Sequence, residues 1–171
     1  MSVLKILTFP DERLKQVAEP VIDIDEKLLA FIKDLEETMR QGPGSVGIAA
    51  VQTGCLLRLA IVDVSSKPDI KNHGRLVLIN PEILSWDGYA VGREGCMSVP
   101  DYTGSVIRAE RIKLSAMDEA GDEQKYEMEG YEARAVQHEI DHLDGLLFLD
   151  RLVSRRGDLH KRKVYKKKED K

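Results

Sequence analysis

Between about residues 25 and 41 the apolar positions Leu28, Leu29, Ile32, Leu35 and Met39 recur every three or four residues, which places them on one face of an α-helix. Gly42-Pro43-Gly44-Ser45 breaks that helix, because proline disfavours helical backbone in the residue before it and glycine loses the most entropy on ordering. From residue 57 onward the pattern changes to short, often alternating apolar runs at 57–64, 75–83, 106–117 and 126–128, separated by Gly, Pro, Asn and Asp. These runs predict strands, mostly antiparallel. A second helical pattern covers 131–144, with Ala135, Val136, Ile140 and Leu143 on its inner face and Gly145 placed to end it. The regular β/α alternation of a doubly wound fold is absent, so the expected class is α+β: mostly antiparallel strands around a central helix, an N-terminal helix, and a C-terminal basic helix or arm.

A chain of 171 residues fits one domain, and its 42% hydrophobic and 33% charged residues are ordinary for a folded globule. No stretch approaches the roughly 18 uninterrupted apolar residues of a membrane span, and the opening Met-Ser-Val-Leu-Lys-Ile-Leu-Thr lacks the long apolar run of a signal peptide. A cytoplasmic protein with no membrane partner is expected. Cys55 and Cys96 are too few for a disulfide framework, so each thiol is expected to be free or bound to metal. Charge divides the chain: 151–171 hold ten Lys/Arg against three Asp/Glu, a net +7, so the overall −4 leaves −11 for residues 1–150. The expected organisation is one folded domain over 1–152 and a basic tail over 153–171.

The chemistry concentrates in Gln137-His138-Glu139-Ile140-Asp141-His142, an H-E-x-x-H run inside the second predicted helix. Spacing of i, i+4 brings both imidazoles to one helix face, near enough to share a metal, and Glu139 sits beside them. Ordinary surface histidines are the bland alternative, and the helical context disfavours it. A catalytic metal needs a third protein ligand as well as an open position. The extended zinc-protease signature would supply a histidine three residues after Gly145, but Phe148 stands there. The remaining candidates are a distant carboxylate, His73, His160, Cys55 and Cys96. Cys96 has the most telling setting, in Glu94-Gly95-Cys96-Met97-Ser98-Val99-Pro100, and a thiolate is a strong ligand for softer transition metals. Cys55 precedes an apolar strand and reads as a small core or loop residue.

At these residues the chain resembles the peptide deformylases. The family's G-x-G-x-A-A-x-Q is similar to Ser45 through Gln52, its E-G-C-L-S to Glu94 through Ser98, and its Q-H-E-x-D-H-L to Gln137 through Leu143, in the same order. The resemblance extends from Leu4 to about Leu152. It implies hydrolysis of the formyl group from N-terminal formylmethionine of nascent peptides, with Cys96, His138 and His142 binding one divalent transition metal and Glu139 as the acid/base. Gln52 and the Met97 backbone N–H would polarise the formyl oxygen. Val46, Gly47 and Gly95 would flank an extended substrate, and Val46, Tyr131 and Ala135 would line an apolar methionine pocket. Ferrous iron is implied ahead of zinc, nickel or cobalt, and no organic cofactor is implied. In some similar enzymes the C-terminal segment meets the ribosome, which the basic tail would allow; a frayed, solvated terminus is the plainer alternative.

Three departures from the family pattern bear on the substrate more than on the metal. Ser45 replaces a glycine, where a positive φ would be harder to adopt. Met97 replaces leucine, which leaves the backbone N–H untouched. Thr103 replaces an arginine that holds the acid of the cysteine loop, leaving Arg108 as a partner for Glu94. Three other readings stay open at this point: another metallopeptidase or amidase, a divergent paralogue acting on another N-blocked peptide, and a non-catalytic ribosome-associated module.

Overall fold

A computed structural model of the chain describes residues 2–162. Its first helix, α1, spans Glu26–Gln41, capped by the Asp25 carboxylate, which accepts from the Leu28 N–H at 2.8 Å. After the Gly42 turn come strands β1 (Gly47–Ala49), β2 (Leu59–Val62), β3 (Leu76–Cys96), β4 (Val99–Met117) and β5 (Glu123–Glu129). The second long helix, α2, covers Gly130–Leu143, and beyond it lie a one-turn helix α3 (Arg155–Asp158) and strand β6 (Leu159–Lys161). All six strands among the described residues join one antiparallel sheet in the order β1-β2-β3-β4-β5, with β6 beside the first part of β4. The class is α+β.

The apolar runs of β2 and early β3 are continuous because helices cover both faces of the sheet there. Leu59, Ile61, Val77 and Ile79 pack with Leu28, Ile32, Leu35 and Met39 of α1. Val62, Leu76 and Leu78 face the other way and pack with Ala133, Val136 and Ile140 of α2. The second helix is therefore buried nearly all round, between the sheet and the segments after it. Gly145 ends it as expected: its φ of +78° suits glycine, and a Cβ there would run into the Lys15 carbonyl.

Two sequence expectations change in extent. The strand expected at 75–83 continues to Cys96, and the one expected at 106–117 begins at Val99, so β3 and β4 form one long hairpin whose tight turn is Met97-Ser98. Residues 84–95 carry glycines and one solvent-facing side, so they lack a long apolar run, and pairing with β4 makes them a strand. At the other end, the helix or arm expected over the basic tail is a single helical turn followed by β6, which pairs Tyr102–Gly104 with Leu159–Lys161. Residues 163–171, most of the basic run, lie outside the described residues. No described helix is long and apolar enough to cross a membrane.

Candidate metal centre and cleft

Helix periodicity and the hairpin turn together build the site. On α2 the rings of His138 and His142 are neighbours, with centroids 5.0 Å apart. Cys96 is the last residue of β3, delivered by the hairpin turn to within 3.4 Å of His142 Nε2. The ligand-capable atoms of Cys96, His138 and His142 lie within 4.8 Å of one another, the one such group of three found among the described residues. Burial by itself would raise the Cys96 thiol, but the His142 and His138 rings bring it well below its ordinary range. A buried thiolate and two imidazoles converging on one point fit a divalent transition metal.

Behind this group sits a buried charged network. His138 Nδ1–H donates to Glu94 Oε1 at 2.8 Å, which turns the other ring nitrogen toward the cluster. Arg108 grips Glu94 with two bonds, Nε at 2.7 Å and Nη2 at 2.8 Å, while its Nη1 donates to Asp141 at 2.8 Å. The expected Arg108–Glu94 pairing is thus present, and Thr103 leaves no gap in it. Arg134 adds a further bond to Glu94 at 2.7 Å and also donates to the carbonyls of Val106 and Ala90, tying α2 to the hairpin. Burial alone would raise Glu94, yet Arg108 and His138 hold its carboxyl far below the usual carboxylate range.

In front lies a cleft of about 210 Å³ between β1 and the end of β3. Val46, Gly47, Gln52, Gly95, Cys96, Met97, Tyr131, Ala135, His138 and Glu139 all line it, while His142 stands behind and is 1% exposed. Glu139 is buried, and its Oε2 has no hydrogen-bond partner among the described residues. Burial is the main cause that pushes its carboxyl upward. Gly47 permits this placement, since a Cβ there would come within 2.7 Å of Glu139 Oε1. Gln52 is oriented at both ends: its Oε1 accepts from the Ala49 N–H at 2.9 Å, and its Nε2 donates to Ser98 Oγ at 3.0 Å and faces Cys96 Sγ at 3.5 Å.

Ser45 needs no unusual backbone, because the positive φ of this loop falls on Gly44 at +68°. Its hydroxyl donates to the Gly47 carbonyl at 3.3 Å. The other ligand candidates are elsewhere. Cys55 packs beside the α1 core, His73 pairs with Glu132 at 2.6 Å, and His160 lies in β6 opposite Thr103. Three participants escaped the sequence reading. Ser98 stood inside a recognised motif without a role, Arg134 drew no assignment between its two alanines, and Arg162 reaches the cleft only through the return of β6.

The family model described as Polypeptide deformylase matches residues 3–157. A peptide deformylase of Alkalilimnicola ehrlichii is 43% identical over 166 residues, covering 97% of this chain and 91% of that protein. Peptide deformylase 3 of Shewanella oneidensis is 42% identical over 97% of this chain and 99% of its own length. Among solved structures, the peptide deformylase of Ehrlichia chaffeensis in complex with actinonin superposes with a TM-score of 0.84 at 36% identity, over 91% of this chain and 92% of that one. The peptide deformylase of Thermotoga maritima gives 0.83 at 37% identity, over 90% of this chain and all of that one.

Proposed function

The chain belongs to the polypeptide deformylase family, and we propose that it performs the family's reaction with Cys96, His138 and His142 as metal ligands and Glu139 as the group that moves the proton. The reaction is hydrolysis of the N-formyl group of formylmethionyl peptides to formate and a free amino terminus. The observation that carries the residue assignment is the buried Glu139 carboxylate, with Oε2 unpartnered among the described residues, in the cleft beside the three convergent donors. One divalent ion held there would supply Lewis acidity and lower the pKa of water to about 7. Ferrous iron is our first choice on family resemblance, although the same donor set suits zinc, nickel and cobalt.

The remaining work falls to the chain. An extended peptide enters beside Val46, Gly47 and Gly95, adding a strand between β1 and the end of β3, and its methionine side chain packs on Val46, Tyr131 and Ala135. The Gln52 amide, held by Ala49 and Ser98, and the Met97 backbone N–H donate to the formyl oxygen as negative charge develops on it. Glu139 accepts the proton of the attacking water and returns it to the peptide nitrogen as the carbon–nitrogen bond breaks. Residues 1–152 would form the body of the catalytic unit and 153–171 a basic segment whose first part adds β6 to its sheet. We place the protein in the cytoplasm, where nascent chains are made, with the tail available to the phosphates of ribosomal RNA.

Formate release from formyl-Met-Ala-Ser, measured anaerobically after reconstitution with Fe(II), Ni(II) or Zn(II), tests the assignment. Turnover that collapses in Glu139→Ala is the expected result. Metal binding that survives replacement of Cys96 by serine would overturn the ligand set.

A further inference from the structure

The cleft has a wall that the H-E-x-x-H helix and the cysteine turn do not supply. Strand β6 pairs with β4 so that His160 stands opposite Thr103, and the Arg162 backbone N–H donates to the Asp101 carbonyl at 2.9 Å. This carries the Arg162 guanidinium over Gly95: a Cβ at Gly95 would come within 2.7 Å of Arg162 Nη2 and 3.5 Å of Thr103 Cγ2. Both Arg162 and Arg93 line the cleft. Neither makes an ion pair within the described residues, whereas the third arginine of the cleft, Arg134, is bound to Glu94. Of the two acids that line the cleft among the described residues, Glu94 is bound to its arginines and Glu139 is buried. The rim is therefore cationic. It is so just where an extended peptide would pass Gly95, and the small Thr103 side chain leaves room for the guanidinium.

We propose that Arg162 is a specificity-determining residue that reads a carboxylate side chain in the residues following formylmethionine, with Arg93 beside it strengthening the same preference. The proposal rests on the deformylase reading above and adds to it a substrate class, formylated peptides acidic immediately after the first residue. A guanidinium suits this task because its planar fork can donate two parallel hydrogen bonds to one carboxylate. Arg162 acts on binding and takes no part in the proton transfers, so its signature is in KM and not in kcat.

The test compares steady-state turnover of formyl-Met-Asp-Ser, formyl-Met-Ala-Asp and formyl-Met-Ala-Ser by the metal-loaded wild type, Arg162→Ala and Arg162→Lys. In the wild type at least one acidic peptide should have a kcat/KM several-fold above the neutral one, an advantage that shrinks as ionic strength rises. Arg162→Ala should raise KM for that acidic peptide by about tenfold, with kcat unchanged and KM for the neutral peptide within about twofold. Arg162→Lys should restore part of the loss, since it keeps the charge without the fork. Equal effects on acidic and neutral peptides, or none on any, would overturn the proposal while leaving the deformylase reading intact. Turnover of no formylated peptide by the wild type would remove both.

Discussion

Glu94 Oε1 accepts a 2.8 Å hydrogen bond from His138 Nδ1, and the same carboxylate is gripped at both oxygens by Arg108. The orientation of one imidazole in the centre is thus set by an acid 44 residues earlier in the chain, which is itself fixed by a guanidinium from the facing strand. Arg108 and Glu94 are both almost fully buried, so the pair lies where an unmatched charge is most costly.

Arg108→Met should accordingly destabilise the fold by roughly 3–5 kcal/mol, the range seen when one partner of a buried ion pair is removed. Metal affinity should fall as well, because His138 loses part of its orienting shell. Chemical denaturation and metal titration of the purified variant check both.

The same pair sets an acid sensitivity. Because Glu94 and Asp141 are held below the usual carboxylate range, the stability they contribute is fully present above their unfolded values, about pH 4, and is lost as pH falls towards the folded values. Wild-type stability should therefore decline between pH 5 and pH 3. The decline should be shallower in Arg108→Met, whose Glu94 titrates closer to its unfolded value, as denaturation midpoints across that range would record.

Glu139→Gln should lower turnover by about 10²–10⁴-fold while metal stoichiometry stays at the wild-type level. Stability of the metal-free protein should hold or rise, since burial disfavours the charged form of this carboxyl and a neutral amide relieves that. A variant that loses metal together with activity would count against Glu139 as the proton carrier.

At Gly47 the contact is steric. Alanine there would press on Glu139 Oε1 at 2.7 Å and Cγ at 3.0 Å, and a displacement approaching 1 Å in a reacting group costs on the order of 10²-fold in rate. Gly47→Ala should lose turnover to about that extent and keep its thermal unfolding midpoint within a few degrees.

Asn80 provides a contrast remote from the chemistry. Its side chain accepts from the Val21 N–H at 2.8 Å and donates to the Val21 carbonyl at 2.9 Å, and its φ is +50°. Asn80→Ala should cost roughly 1–3 kcal/mol by leaving a part-buried backbone pair unmatched, with kcat per folded molecule unchanged.

Both helices were legible in the sequence because a periodicity of three to four residues is a local property, and so was the i, i+4 pair of histidines it carries. Cys96 was legible through its motif. The reach of β3 past Ile83 was not, because Gly88, Gly92 and Arg93 make a poor strand until β4 supplies the facing hydrogen bonds. Arg108 was anticipated as the partner of Glu94, whereas Arg134 was not, since its role depends on the hairpin carbonyls of Ala90 and Val106 that local sequence cannot place. Ser45 illustrates the converse: the pattern raised a backbone difficulty that the positive φ of Gly44 removes.

The turn that ends β3 places Cys96 against a helix whose histidines come more than forty residues later in the chain. Any ion held between them closes a long loop, and a closed loop removes conformations from the unfolded chain in the way a disulfide does. Because an ion that binds the folded form stabilises it by mass action, the melting temperature of this protein should track free metal concentration. Scarcity of the ion would then shorten the lifetime of the folded molecule as well as idle its chemistry, so abundance and activity would fall together.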